Sequence, residues 1–273
     1  MWKLFLSLGF SLLSWLAPVP AFSQEMPIFD VHIHYSESAW NVYPPEAAFA
    51  ILDRGGVMRA VVSSTPDDGT VKLYEKAPSR IIPFLRPYRT LEDIGTWTQD
   101  LSLLSYVEER LKRGIYKGIG EFHLQAGQAN SAVVKRVVEL AASHHLFLYP
   151  HADELTLEEL IEVRPEVRVL WAHAGMTAPP AAVERILDRY PNVWVELSYR
   201  FDVAPGGKLD PTWRALFLKY PDRFIVGTDT WTNAQWDRLP EILEGFRTWL
   251  RQLPKDAAEK IAYGNASRLF GSP

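Results

Sequence analysis

The sequence predicts an α/β fold, a (β/α)8 barrel of the TIM type built as a single domain with extra C-terminal helices. Three observations predict it. Eight apolar runs rich in Val, Ile and Phe recur at intervals that suit a strand followed by a helix. Helical patterns fill the gaps between them. The turn after the first run reads His32-Ile33-His34-Tyr35, where an open doubly wound sheet would need a glycine-rich phosphate loop.

The expected strands, in order, cover Ile28–His32, Ala60–Ser63, Ile81–Phe84, Gly118–Glu121, Leu146–Pro150, Val167–Ala172, Val193–Leu197 and Phe224–Thr228. Each is a short β-branched or aromatic run bounded by polar or turn-forming residues. Helices are expected between them, among others at Trp97–Arg113, Ala129–His144, Pro180–Tyr190 and Pro211–Tyr220. Two more follow the last strand, about Gln235–Leu250 and Lys255–Phe270. There is no internal repeat, low-complexity stretch or linker, so residues 24–273 are read as one domain.

Residues 1–23 are read as a secretory signal. Lys3 precedes an apolar run from Leu4 to Ala17, Pro18 and Pro20 end it, and Ala21-Phe22-Ser23 is a small-x-small cleavage site. The run is shorter than the roughly 20 residues of a spanning helix. The expected location is therefore periplasmic or secreted, with no membrane association after cleavage. The net charge is −4, and removing Lys3 gives −5 for the mature chain. Both signs are interspersed, so no basic stripe points to nucleic acid. The chain has no Cys. That excludes disulfides, cysteine lipidation and thiolate metal ligands, and leaves His and carboxylates as donors.

Such donors recur where the barrel places chemistry, at the C-terminal strand ends. His32 and His34 alternate on one strand and project together. Glu121 ends the fourth strand, His151 the fifth and His173 the sixth, and Asp229 follows the eighth. Four of the seven His fall at strand ends in this order, which argues against four unrelated polar residues. Asp229 has the alternative of capping the next helix, and Glu121 that of a salt bridge to Lys117 or Arg86. His144 and His145 end a helix and are assigned to structure. His123 shares the parity of Glu121 and either lines the pocket or lies in a surface loop. Asp30 shares the parity of the paired His but lies deeper, and is expected to support them without touching a metal. Arg86 and Arg200 follow the third and seventh strands, where an Arg can clamp a carboxylate or phosphate. Tyr35, Trp40, Tyr88, Tyr199 and Trp231 suggest aromatic pocket walls, with Trp231 joining Arg86 and Arg200 as expected substrate contacts.

The series His32-x-His34, Glu121, His151, His173 and Asp229, with the tail Tyr263-Gly264-Asn265-Ala266-Ser267-Arg268-Leu269-Phe270, resembles the amidohydrolase superfamily, in particular its amidohydrolase-related group. The resemblance covers about residues 26–270. It implies a mononuclear or binuclear centre held by His32, His34, Glu121, His151, His173 and Asp229, with Glu121 bridging as in TatD-like hydrolases. His and carboxylate donors suit Zn2+ best, and also Mn2+, Fe2+ or Co2+, one or two ions. Such an ion lowers the pKa of its water to about 7. The expected activity is metal-dependent hydrolysis of an amide, lactone or other ester-like bond in a small, anionic or aromatic substrate. Metal-bound hydroxide attacks, Asp229 is general base and then acid, and His173 is a ligand or proton relay. Two alternatives stand beside it: non-oxidative decarboxylation with one metal, and a non-catalytic barrel that binds metal or ligand.

Overall fold

Eight parallel strands hydrogen-bond to one another in sequence order, in a computed structural model that describes residues 25–271. The signal expected over 1–23 lies outside the described residues. The strands are β1 (Ile28–Ile33), β2 (Val57–Val62), β3 (Ile81–Leu85), β4 (Gly118–His123), β5 (Phe147–His151), β6 (Val169–Trp171), β7 (Val193–Glu196) and β8 (Phe224–Ile225). The helices are α1 (Glu37–Trp40), α2 (Pro45–Arg54), α3 (Asp68–Lys76), α4 (Ser102–Leu111), α5 (Ala132–Ser143), α6 (Glu154–Val163), α7 (Pro180–Arg189), α8 (Pro211–Lys219), α9 (Asn233–Leu250), α10 (Lys255–Glu259) and α11 (Asn265–Phe270). The barrel closes where β1 meets the segment after β8: Val31 N donates to Val226 O (3.0 Å) and His34 N to Thr230 O (2.8 Å). Among the described residues no helix is long and apolar enough to cross a membrane.

All eight expected strands form, and their lengths differ for identifiable reasons. β2 starts at Val57, three residues before the expected Ala60, because Ile28 and Phe29 of β1 already pair with Val57 and Arg59. β8 stops at Ile225 and does not run to Thr228. Beyond Ile225 the backbone finds other partners: Val226 N donates to Ile261 O, and Thr228 N to the Asp30 carboxylate. β6 ends at Trp171 because His173 and Ala174 enter the left-handed region, with φ of 54° and 47°. The expected helix 97–113 is split, since Asp100 accepts from the Ser102 backbone and starts α4 there. The last expected helix, 255–270, is interrupted by a π turn, Lys260–Gly264.

Strand residues are buried almost without exception, as a parallel sheet covered on both faces requires. One apolar layer, built from residues such as Val62, Leu148 and Val195, packs the sheet against the surrounding helices. A second fills the barrel interior. Its floor is aromatic: Phe270 of α11 lies 5.2 Å from Phe147, 5.7 Å from Phe84 and 6.1 Å from Phe29, centroid to centroid. Tyr149 stacks above, 6.0 Å from Phe84 and 4.9 Å from the His32 ring. The closing helix thus supports, through two aromatic layers, the residues at the other end of the barrel. Asn265 fixes that helix by donating to Pro221 O (2.9 Å) and Phe224 O (2.8 Å).

Phe270→Ala removes the floor, and we expect a loss of about 3 kcal/mol in urea unfolding, the range for a buried Phe truncation. An unchanged urea midpoint would show that the interior does not lean on α11.

Candidate metal centre

The first donors come from the end of β1. His32 and His34 are 1% exposed, and their Nε2 atoms stand 3.2 Å apart. Glu121 joins them from β4, where the pairing with β5 slips between Gly120 and Phe122. A bulge of this kind re-aims the side chain of the extra residue. Asp229 arrives from the turn after β8, in a left-handed conformation at φ 49°. Glu121 Oε2 lies 3.5 Å from His32 Nε2 and 3.3 Å from His34 Nε2. Asp229 Oδ1 lies 3.4 Å and 3.1 Å from the same two atoms. Ligands about 2.0–2.2 Å from one tetrahedral ion are themselves about 3.3–3.6 Å apart. The four side chains are therefore already spaced as donors around a single cation.

The other carboxylate oxygen of Glu121 faces the opposite way. Oε1 is 2.9 Å from His151 Nδ1 and 3.2 Å from His173 Nε2. Glu121 thus presents one oxygen to each pair of histidines, the geometry of a bridging carboxylate. The six residues named from the sequence thus form two adjoining groups that share Glu121, His32/His34/Asp229 on one oxygen and His151/His173 on the other.

Outer partners set the tautomers. His34 Nδ1 faces the carbonyl of Ser63, which can only accept. His32 Nδ1 faces Glu196 Oε2 at 3.0 Å. Ser198 donates its hydroxyl to Glu196 (3.0 Å) and so accepts from His173 Nδ1 (2.7 Å). In each ring Nδ1 carries the hydrogen, and the Nε2 lone pair points at the centre. Lone pairs and carboxylate oxygens that face one another at these distances are stable only around positive charge. Burial alone would push the His32 imidazole down, but Asp229, Glu121 and Glu196 drive it well above its usual value. Burial would raise the Glu121 carboxyl, yet His32, His151 and His173 hold it well below the usual range. The donor set fits a divalent cation.

Glu196, fully buried at the end of β7, was not marked by the sequence. It binds His32 Nδ1, the His173 backbone N (3.1 Å) and Ser198, and so couples both halves of the centre. Its only signal is a lone acidic residue ending an otherwise apolar strand, Val193-Trp194-Val195-Glu196. Asp30 has the supporting place expected of it. It accepts from His32 N and Thr228 N (3.0 Å each) and from the Thr228 hydroxyl (2.7 Å), and burial pushes its carboxyl up to about 7. It thereby ties β1 to the turn that carries Asp229.

The two arginines are engaged by the protein. Arg86 donates to Glu121 Oε2 (2.9 Å) and Glu121 O (3.1 Å), so the salt bridge and the donor role of Glu121 coexist. Arg200 chelates Asp202 with two 2.8 Å bonds and donates to Ala174 O and Ala178 O at 2.8 Å. It fixes the turn after His173, with its guanidinium bonded to Asp202 and to two carbonyls. Trp231 is 51% exposed and donates to the Tyr199 hydroxyl (3.3 Å). His123 lines the site with its ring 4.4 Å from that of His151, and Tyr88 holds it from behind. His144 and His145 follow the end of α5, at the opposite end of β5 from His151. Tyr35 and Tyr88 are fully buried, and Trp40 caps the Tyr35 carbonyl.

A family model described as amidohydrolase matches residues 103–272, more than half of the chain. Among solved structures, a Pseudomonas putida protein provisionally named as a 2-pyrone-4,6-dicarboxylic acid hydrolase aligns over 90% of this chain and 98% of its own, with TM-score 0.64 and 15% identity. A TatD homologue from Escherichia coli aligns over the same shares with TM-score 0.62 and 16% identity. An amidohydrolase from Burkholderia multivorans with bound HEPES covers 90% and 100%, with TM-score 0.58 and 18% identity. At these identities the likeness is one of fold. No curated protein matches the chain.

Glu196→Gln keeps the shape but removes the charge behind His32 and His173. Calorimetric Zn2+ titration should show affinity down about 10–100-fold, the usual cost of losing such a partner. Affinity of the wild type should rise with pH, because a cation must displace the proton that His32 holds above its usual pKa. Wild-type affinity in the Gln variant would remove Glu196 from the centre.

Proposed function

The chain belongs to the amidohydrolase family of metal-dependent hydrolases, and from that premise we propose that it hydrolyses an amide, lactone or other ester-like bond in a small substrate outside the cytoplasm. The observation that carries the reading is the clustering of His32 Nε2, His34 Nε2, Glu121 Oε2 and Asp229 Oδ1, in which the two histidine nitrogens lie 3.1–3.5 Å from each other and from the carboxylate oxygens. In our reading these four residues hold one divalent ion, Zn2+ by preference for His and carboxylate donors, and Glu121, His151 and His173 hold a second. When bound, such an ion supplies Lewis acidity toward a carbonyl oxygen and lowers the pKa of water at the site.

The protein's own groups then divide the work. Asp229 has a second oxygen, Oδ2, 3.9 Å from His173 Nε2, and its side chain is 12% exposed while the other donors of its cluster are nearly sealed. It is the one carboxylate of the centre that can meet both water and the scissile group. Asp229 takes the proton as the water oxygen bonds to the carbonyl carbon. It returns that proton to the departing nitrogen or oxygen as the C–N or C–O bond breaks. Arg86 holds Glu121 by both its backbone and its side chain, and adds a fixed positive charge beside the carbonyl. His173 is kept in one tautomer by Ser198 and serves as ligand or relay. Trp231 offers a flat surface at the rim for an aromatic or planar substrate. The export pattern in residues 1–23 supports a periplasmic or secreted location.

Asp229→Asn retains the shape and one donor oxygen but no base. A screen of lactones, aryl esters, N-acyl compounds and phosphotriesters identifies a working substrate. On it the variant should lose about 100- to 10,000-fold in kcat while elemental analysis still finds metal. Near-normal turnover with metal retained would refute the role given to Asp229.

A further inference from the structure

A cavity of the described residues lies away from the metal donors, and none of them lines it. It lies between the loop after β7 and the helix α9, with a volume of about 680 Å3. That is ample for a small-molecule group, since ligand pockets run to roughly 300–1,000 Å3. Its walls are apolar: Leu197, Phe201 and Val203 from the loop, Ile242, Phe246 and Trp249 from α9. Only two charged side chains reach it, and both are neutralised. Arg200 is chelated by Asp202, and Glu241 pairs with Arg238 at 3.0 Å. The walls offer a charged group no unpaired countercharge.

The cavity shares a wall with the centre. Thr228, which lines it, directly precedes Asp229. Gln235 donates through one amide nitrogen to Asp229 O (3.1 Å) and to the Tyr199 hydroxyl (2.7 Å). Tyr199 also lines the cavity, and its ring lies 5.8 Å from that of His173. Thr228, Gln235 and Tyr199 are thus wall residues of the cavity and direct neighbours of the centre.

We propose that this cavity takes the apolar acyl chain of a neutral ester, lactone or amide, which names the substrate class of the centre. The inference rests on the hydrolase reading above. Burying each methylene should raise kcat/KM roughly four-fold. Gly245 provides the test. It lines the cavity from α9, and a Cβ built on it meets nothing within 4 Å, so a large side chain can be placed at the cavity wall without a backbone clash.

The experiment compares p-nitrophenyl octanoate with p-nitrophenyl acetate in the metal-loaded wild type and in Gly245→Trp, and follows the fluorescence of the uncharged probe N-phenyl-1-naphthylamine. We expect the wild type to favour octanoate by at least about ten-fold in kcat/KM. Gly245→Trp should cut that preference by about ten-fold and abolish probe binding. Ile242→Asn, which puts an amide in the wall, should weaken both readouts if the Trp variant does not fold. An unchanged preference with unchanged probe binding overturns the proposal. If neither ester is turned over, probe binding that Gly245→Trp abolishes supports the cavity as an acyl site and counts against the hydrolase reading. No probe binding in the wild type counts against the cavity whatever the esters do.

Discussion

Three buried carboxylates, Glu121, Glu196 and Asp229, surround four histidines at one end of the barrel, and everything near them is arranged around their need for positive charge. Arg86 supplies one fixed cation to Glu121. His32, His34 and His173 cannot supply the rest while remaining donors, because their Nδ1 hydrogens are committed outward to Glu196, Ser63 and Ser198. Without an ion, His32 must take a proton to hold the cluster together, and its upward shift expresses that demand. With an ion, the same atoms become a ligand set. The fold thus shapes a cluster of negative and lone-pair donors whose chemistry suits a divalent cation.

The fold holds this arrangement at a cost in the backbone. His173, Tyr199 and Asp229 all adopt left-handed φ values of 49–57°, an unfavourable region for residues with a side chain. They lie at the ends of three different strands, where the chain must turn a donor or an aromatic ring inward. Rigid surroundings oppose relaxation. Arg200 locks the turn after His173, and Gln235 closes the capping box of α9 and grips Asp229 O. Asp30 joins β1 to the Asp229 turn. Beneath them the aromatic column from Tyr149 to Phe270 gives the metal donors a floor that does not compress.

Much of this was legible in the sequence. The six donors could be named because strand ends are where a parallel barrel exposes side chains, and His32 and His34 announce their common face by alternation. The eight strands were legible because parallel strands buried on both faces read as apolar runs. What the sequence hid are contacts between distant segments. Glu196 meets His32 across 164 residues, and nothing local distinguishes it from a salt-bridged strand end. The bulge at Glu121 and the short β8 depend on which partner the backbone finds, Tyr149 in one case and Ile261 and Asp30 in the other. Arg200 stands at a strand end, and its partners Ala174, Ala178 and Asp202 are set by tertiary packing. The acyl cavity is likewise a product of how α9 meets the β7 loop.

The most direct test of the account is the metal content of the chain, purified without chelators and measured by elemental analysis beside a His32→Ala/His34→Ala variant. The account predicts about two divalent ions per chain, one on the His32, His34, Glu121 and Asp229 donors and one on the His151 side, with the first lost in the variant. A wild type that takes up no Zn2+ or Mn2+, or a variant that holds as much as the wild type, would contradict it.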